Sequence, residues 1–326
     1  MKAAWYSRNG TAREVLVLGE IPDPRPCEGE VRVKLFTSGV NPSDVKSRTS
    51  RPMEAEKVIP HSDGAGVIDM VGRGVSDARI GERVWIWNGQ WKRPLGTACE
   101  LIALPEDQAV GLPDHVSFET GACLGIPALT AIQALRLAGP LDGRTILVTG
   151  AGNNVGHYIT QLATMYGAHV IGTVGSAMRL SLAKKCGAHE LIHYKSEPIA
   201  QRILDLTQGV GVDAVLDMDF SSTSKLLEKG ILKPHGHMVV YGSKEAFDVP
   251  VNYRSLLRSS INLKFFLIYD LVDQDRKIGI EQLSGMLRAN SLHHELGARF
   301  TLDEIASAHE AVESGQVVGN VVLTMS

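Results

Sequence analysis

A stretch reading LVTGAGNNVGHY runs from Leu147 to Tyr158. It sets an apolar strand, a turn of small residues and the start of a helix in that order, the context in which a glycine turn holds a phosphate. The chemistry asks for little side chain, because backbone N–H groups must approach a pyrophosphate at the helix N-terminus. Gly152 and Gly156 meet that need, but the central glycine of the usual spacing falls on Asn153, with Asn154 beside it. Asparagine is the non-glycine residue best able to take a left-handed backbone, and its amide can donate to a phosphate. Read alone, the segment also fits a tight strand-to-helix turn with no ligand; the elements around it favour the dinucleotide. In enzymes that use NAD, an acid about 20 residues further on bonds the ribose hydroxyls. Here HVIGTVGSAMR offers Val174, Gly175 and Ser176 instead, and Arg179 follows within reach of a 2′-phosphate. The missing acid and this arginine predict NADP(H).

The other reactive side chains are scattered. Of the four cysteines, Cys27, Cys99, Cys123 and Cys186, no two are closer than Cys99 and Cys123. That excludes a CxxC metal or redox motif and a dense disulfide framework, so four reduced thiols, each a small buried apolar group, are expected. Of the eleven histidines, His235/His237 and His293/His294 are the close pairs, and neither pair has a cysteine nearby or the HExxH arrangement. They read as surface or turn residues, and no metal site is expected.

The elements that must position the turn follow a clear rhythm. After Pro140, TILVTG, HVIGTV, ELIHY, GVDAVLDM, GHMVVYGS and INLKFFLIYDL read as six strands separated by helices. The helices are HYITQLATMYGA, MRLSLAKKCGA, PIAQRILDLTQG and STSKLLEKGIL, the first with Ile159, Leu162, Ala163 and Tyr166 at helical spacing and Gly167 as its stop. Such alternation is that of a doubly wound parallel sheet. The first 120 or so residues instead carry short strands and Gly/Pro turns, a pattern of antiparallel barrel or sandwich type. VRVKLFTSGV, for instance, places Val31, Val33 and Leu35 on one face. From about Asp273 a helix, an amphipathic helix LDEIASAHEAVES and a last strand NVVLTM follow. The nucleotide-type module is therefore read as inserted between two stretches of one outer domain.

Composition agrees with a folded α/β protein. The chain has 326 residues, 44% apolar and 21% charged, with a net charge of −3. Nothing in that balance steers it to nucleic acid or anionic lipid. Its apolar runs are far below the roughly 18 residues of a membrane span. Arg8 and Arg13 interrupt the N-terminus before a signal-peptide core forms. A cytoplasmic location is expected.

With these residues in place, the sequence resembles the zinc-independent quinone oxidoreductases, the zeta-crystallin-like branch of the medium-chain dehydrogenase/reductase superfamily. The landmarks stand in order along nearly the whole chain: SGVNPSDVK at 38–46, IPHSDGAGVIDMVGRGV at 59–75, GERVW at 81–85, GACLGIPALTA at 121–131, VTGAGNNVGHYITQLA at 148–163, GTVGSAMR at 172–179 and GVDAVLD at 211–217. The resemblance implies a GroES-like, β-rich catalytic domain over 1–122 and 268–326, with a Rossmann NADP(H)-binding domain over 123–267. In the zinc enzymes of the superfamily the metal takes a cysteine, a His-Glu pair and a second cysteine. The matching positions here are Asn41, Ser62–Asp63 and Gly125, with no thiolate or imidazole, and His61 lies one position out of register as a loop residue.

Carried over residue by residue, the family's cofactor contacts imply Asn41 and Thr130 beside the nicotinamide and its phosphate. Gly152, Asn153, Asn154 and Val155 would surround the pyrophosphate. Gly175, Ser176, Arg179 and Tyr194 would meet the adenosine phosphate. Tyr241, Gly242 and Ser243 would stand at the crevice, Phe266 and Leu267 would flank the nicotinamide, and Asn320 would return from the C-terminal stretch. Lys46 stands where many relatives carry a tyrosine. Without a metal, a simple ketone is hard to reduce, whereas a quinone or α,β-unsaturated carbonyl spreads the charge onto an oxygen that needs only donors. Lys46 or a water would donate to that oxygen and Asn41 would help orient it; a surface Lys46 paired with Asp44 is the competing reading. A non-catalytic NADPH-binding protein, crystallin-like or RNA-binding, is the alternative function, although no basic stripe with interleaved aromatics is present. No nucleic-acid or membrane partner is expected. The apolar INLKFFLIYDL, as an exposed last strand, predicts a homodimer joined edge to edge.

Overall fold

The computed structural model describes residues 1–53 and 55–325. It separates into two compact units, one of Met1–Pro127 with Ser284–Ser326, the other of Ala128–Leu283.

The first unit opens with β1 (Lys2–Trp5), α1 (Ala12–Val15) and β2 (Val17–Glu20), and β1 pairs antiparallel with β2. In β3 (Glu30–Val40) the period of two buries Val31, Val33 and Leu35. The strand stops at Asn41-Pro42. A proline at the first helical position loses no bond, so α2 (Pro42–Ser50) starts there, and the Asp44 carboxylate accepts from the Asn41 backbone N–H at 2.7 Å. This cap fixes Asn41 at the strand–helix junction. β4 (Asp63–Val71), β5 (Arg83–Ile86), β6 (Leu101–Pro105), β7 (Ala109–Gly111) and the short α3 (Phe118–Gly121) complete this half.

The second unit runs α4 (Leu129–Ala138), β8 (Thr145–Val148), α5 (Gly156–Met165), β9 (His169–Val174), α6 (Ala177–Lys185), β10 (Glu190–His193), α7 (Ile199–Leu206), β11 (Val212–Asp217), α8 (Phe220–Leu227), β12 (Leu232–Val240), α9 (Tyr253–Arg258), β13 (Asn262–Phe265) and α10 (Asp273–Arg288). All six strands are parallel, in the order β10-β9-β8-β11-β12-β13. That order reverses between β8 and β11, which makes their C-terminal ends the place where a doubly wound sheet binds its ligand. The last strand is shorter than INLKFFLIYDL suggests. Phe266 still donates to Val240, after which the chain turns inward through Ile268–Asp270 and buries Ile268 and Tyr269. The helix expected over STSKLLEKGIL ends at Leu227, and Leu232 already belongs to β12.

The return stretch adds β14 (Leu296–Thr301), α11 (Ile305–Ser314) and β15 (Asn320–Thr324). β15 pairs antiparallel with β3 and parallel with β14, giving a sheet of order β14-β15-β3-β4-β5-β7 with β6 also on β3. Its core gathers Val33, Ile68, Val84, Ile86, Ile102 and Leu323. The compact units divide at Pro127/Ala128 and inside α10 at Leu283/Ser284, later than the 122/123 and 267/268 divisions expected from the sequence. The motif rhythm marks where strands and turns change, whereas α10 is a continuous helix whose first part packs with the second unit through Asp275, which bonds Gln133 and Arg136.

Candidate functional site

In the second unit the glycine turn lies at the end of β8. Gly150 takes the left-handed backbone (φ 67), donates to the Thr173 hydroxyl at 3.0 Å, and accepts from Asn153 at 2.9 Å. Asn153 does not adopt the left-handed conformation expected of it: Gly150 carries that bend, and the Asn153 amide lies 2.8 Å from the Met218 sulfur. Gly152 is required by close packing, because a Cβ there would stand 2.2 Å from the Arg179 carbonyl oxygen.

The residues expected around an adenosine phosphate come together at the ends of β8, β9 and β10. A Cβ on Gly175 would lie 2.3 Å from the Tyr194 hydroxyl. Ser176 caps α6 by accepting from the Arg179 N–H at 3.4 Å. Burial lowers the half-buried Arg179 guanidinium's pKa, and Tyr194 acts against that. No acid ends β9, since Val174 is followed by Gly175 and Ser176.

Tyr241, Gly242 and Ser243 follow β12 and meet Phe266 in a cavity of about 470 Å³, with Phe220, Phe247 and Phe265 also in its wall. The Tyr241 and Phe266 rings are 6.4 Å apart. Sequence reasoning missed Asp217, at the end of β11. Its buried Oδ1 accepts from the Thr149 and Thr223 hydroxyls, each at 2.8 Å, and burial pushes its carboxyl up to about 6. Burial and the Asp217 charge together push the Tyr241 phenol upward. Thr130, on α4, is buried, and among the described residues its hydroxyl and that of Tyr241 have no hydrogen-bond partner. Leu267 is exposed beside Phe266.

In the first unit, Asn41 donates through Nδ2 to Asp63 Oδ2 at 2.9 Å, and the Ile126 N–H reaches the same oxygen at 3.0 Å. Asn41, Asp63 and Gly125, the positions matched to zinc ligands, thus converge, but as an amide, a carboxyl group and a bare backbone. That donor set does not suit tetrahedral zinc. Ser62 turns away to the Gln90 carbonyl. Asn320 lies one step beyond the Val321–Val40 pair, opposite Asn41 in the antiparallel register, and its amide donates to Glu295. Lys46 is exposed on α2, while Asp44 is buried in the cap and pushed up by burial to about 7.

His61 is a loop residue, as expected, but a buried one with left-handed backbone (φ 76). Its Nδ1 is 2.9 Å from the Ser38 hydroxyl and its Nε2 is 2.9 Å from Nε2 of His309 on α11. The partner stands 248 residues away along the chain, so no local pattern signals it. Burial holds both imidazoles below their ordinary range, His309 at about 3.

An antiparallel unit carrying an Asn-capped helix, and a parallel six-stranded unit with a glycine turn at its switch point, define a medium-chain dehydrogenase/reductase. Residues 27–114 match the alcohol dehydrogenase GroES-like domain, and residues 154–284 match the zinc-binding dehydrogenase family. The chain is 31% identical over 315 residues to a quinone oxidoreductase of Pseudomonas aeruginosa, covering 95% of each. It is 27% identical over 336 residues to a 2-haloacrylate reductase of a Burkholderia species, covering 99% of this chain and 98% of that one. The solved structure of Escherichia coli quinone oxidoreductase complexed with NADPH superposes with a TM-score of 0.90 at 25% identity, over 99% of this chain and all of the other. The chain belongs to the zinc-independent quinone oxidoreductases, and it is an oxidoreductase.

Proposed function

We propose that the chain transfers hydride from NADPH to a quinone or an α,β-unsaturated carbonyl, with no metal in the reaction. The carrying observation is the cluster of Gly152, Gly175, Ser176, Arg179 and Tyr194 at the crest of the sheet, with no acid at the end of β9. Such a crest admits a dinucleotide backbone and offers cationic and hydroxyl groups to a 2′-phosphate. The unpartnered buried hydroxyls of Thr130 and Tyr241 fit a polar ligand as well.

NADPH supplies the hydride when bound. The second unit is then the cofactor-binding domain: Gly152 to Val155 hold the pyrophosphate, and Gly175, Ser176, Arg179 and Tyr194 hold the adenosine phosphate. Thr130 meets the nicotinamide phosphate. Tyr241, Gly242, Ser243, Phe266 and Leu267 shape the nicotinamide end and exclude water. The first unit is the catalytic domain. Asn41 orients the oxygen on which negative charge develops, Lys46 or a water donates to it, and Asn41 and Asn320 also meet the cofactor. The enone half of the reading draws on the similarity to a 2-haloacrylate reductase.

We also propose a cytoplasmic homodimer. The four cysteines are free, Cys27 exposed rather than buried as expected and the other three buried, and no helix among the described residues is long and apolar enough to cross a membrane. β13 is an edge strand with Phe265 59% exposed, and Leu267 just beyond it is 48% exposed, an edge suited to a second copy.

The test is oxidation of NADPH and of NADH against quinones, enones, enals and simple ketones. NADPH-preferring reduction of a quinone or enone supports the proposal. Activity confined to alcohol and ketone pairs, or tight NADPH binding without turnover on any acceptor, contradicts it.

A further inference from the structure

The Asn41–Asp63 contact has an asymmetry that fits only one protonation state. Both donors that reach Asp63, Asn41 Nδ2 and Ile126 N–H, go to Oδ2. The other oxygen, Oδ1, is fully buried, and no donor among the described residues reaches it. A Cβ built on Gly125 would lie 2.3 Å from this Oδ1 and 2.8 Å from the Ile86 carbonyl oxygen. Two oxygens therefore bracket one point, and only a glycine leaves room for both. An ionised carboxylate would leave a bare negative oxygen buried with no donor to meet it, at high desolvation cost. A neutral acid carries its proton on that oxygen and leaves no buried charge there without a donor.

We infer that Asp63 is a neutral acid that positions the Asn41 amide, and that this acid–amide pair closes the place where the matched positions could otherwise have gathered around a metal. Because Oδ2 acts as a double acceptor, it meets only the NH₂ end of Asn41, so the amide cannot flip. One N–H of that amide stays available for another acceptor. A neutral acid holds the amide without adding negative charge beside a group on which negative charge develops. Burial, with the nearby Asp44, pushes the Asp63 carboxyl well above the usual carboxylate range, while its bonds to Asn41 and Ile126 act the other way. That Asn41 faces the reduced oxygen rests on the function proposed above; the protonation of Asp63 and its hold on the amide do not.

The experiment compares wild type with Asp63→Asn, Asp63→Ala and Gly125→Ala. Infrared difference spectra at neutral pH are expected to show a protonated-carboxyl band that disappears in Asp63→Asn and persists in Asp44→Asn. In turnover with NADPH and 1,4-benzoquinone, Asp63→Ala is expected to lower kcat about 100-fold, the scale of a misplaced reacting geometry, with the NADPH Kd unchanged. Asp63→Asn should rescue most of that loss, because its amide donates where the acid's hydroxyl did. Gly125→Ala, whose methyl displaces Oδ1, should fall with Asp63→Ala, and it carries the kcat comparison if Asp63→Ala does not fold. A wild-type kcat in both Asp63→Ala and Gly125→Ala overturns the positioning role. Absence of the band, or an Asp63→Asn as impaired as Asp63→Ala, overturns the neutral acid. If wild type reduces no quinone, the proposed function fails, and the infrared band together with the melting temperature of Asp63→Asn still decides the protonation state.

Discussion

The glycine turn of the second unit and the Asn41–Asp63 pair of the first do opposite things with side chains. At the turn, the missing side chains of Gly152 and Gly175 let the backbone of α6 and the ring of Tyr194 close in, and the recognition surface is mainly backbone. At the pair, one carboxyl group gathers a side-chain amide from residue 41 and a backbone N–H from residue 126, so the contact is centred on a side chain. A backbone cradle is encoded within a dozen consecutive residues. A side-chain pocket is assembled from positions that only the sheet brings together. The first can be read as a motif; the second must be read from a fold.

Five substitutions would break or sharpen that contrast, and the largest effect belongs to the side-chain side. Lys46→Ala is expected to lower kcat about 100-fold, the low end of what a positioned proton donor contributes, while NADPH affinity holds. An unchanged kcat would return Lys46 to the role of a surface lysine. Arg179→Ala should weaken NADPH binding about tenfold to 100-fold, from loss of a charge-assisted bond worth about 1.5–3 kcal/mol, and leave NADH binding as it was. Equal losses for both cofactors would show that the arginine does not read the 2′-phosphate. Phe265→Lys at the β13 edge should shift the protein from dimer to monomer in light scattering; an unaltered mass would place the interface elsewhere.

The smallest effect is on the pH dependence of stability, and both groups that carry it, His309 and Asp44, belong to the first unit. His309, held near pKa 3 by burial against an ordinary 6.5, binds its proton more readily in the unfolded chain. Its contribution is complete above about pH 6.5 and is lost as pH falls toward 3. Asp44 runs the other way: with its folded value raised from 3.8 to about 7, the folded state binds more protons in that window, and stability falls as pH rises through it. His309→Gln should therefore flatten the fall in Tm between pH 6.5 and pH 5, measured by calorimetry. Asp44→Asn should remove a fall in Tm between pH 5 and pH 7. Profiles parallel to wild type would mean that neither group changes its protonation on unfolding.

The legible part of the molecule is the part with a short period. Val31, Val33 and Leu35 alternate, and the strands and helices after Pro140 recur regularly, so the parallel sheet and the β-rich unit follow from pattern. α4 escaped because it is buried on almost every side: of its polar residues Thr130, Gln133 and Arg136, the first two are buried, so no solvent-facing stripe marks the helix. α2 escaped because its visible signal is only the Asn-Pro cap and a buried Asp44. The residues expected at the adenosine phosphate, Gly175, Ser176, Arg179 and Tyr194, could be listed from sequence because they follow the ends of successive strands, β9 and β10. Asp63 was visible only as a missing ligand in a comparison, since its role depends on residues 41, 86 and 125. His61 lacked any local sign of His309.

The central claim is that NADPH-driven reduction proceeds here through side-chain donors with no metal. It is tested most directly by the steady-state rate of NADPH oxidation with 1,4-benzoquinone, before and after exhaustive dialysis against a strong chelator. The account predicts the same kcat in both, with NADPH preferred over NADH. Loss of activity on dialysis, restored by adding zinc, would contradict it.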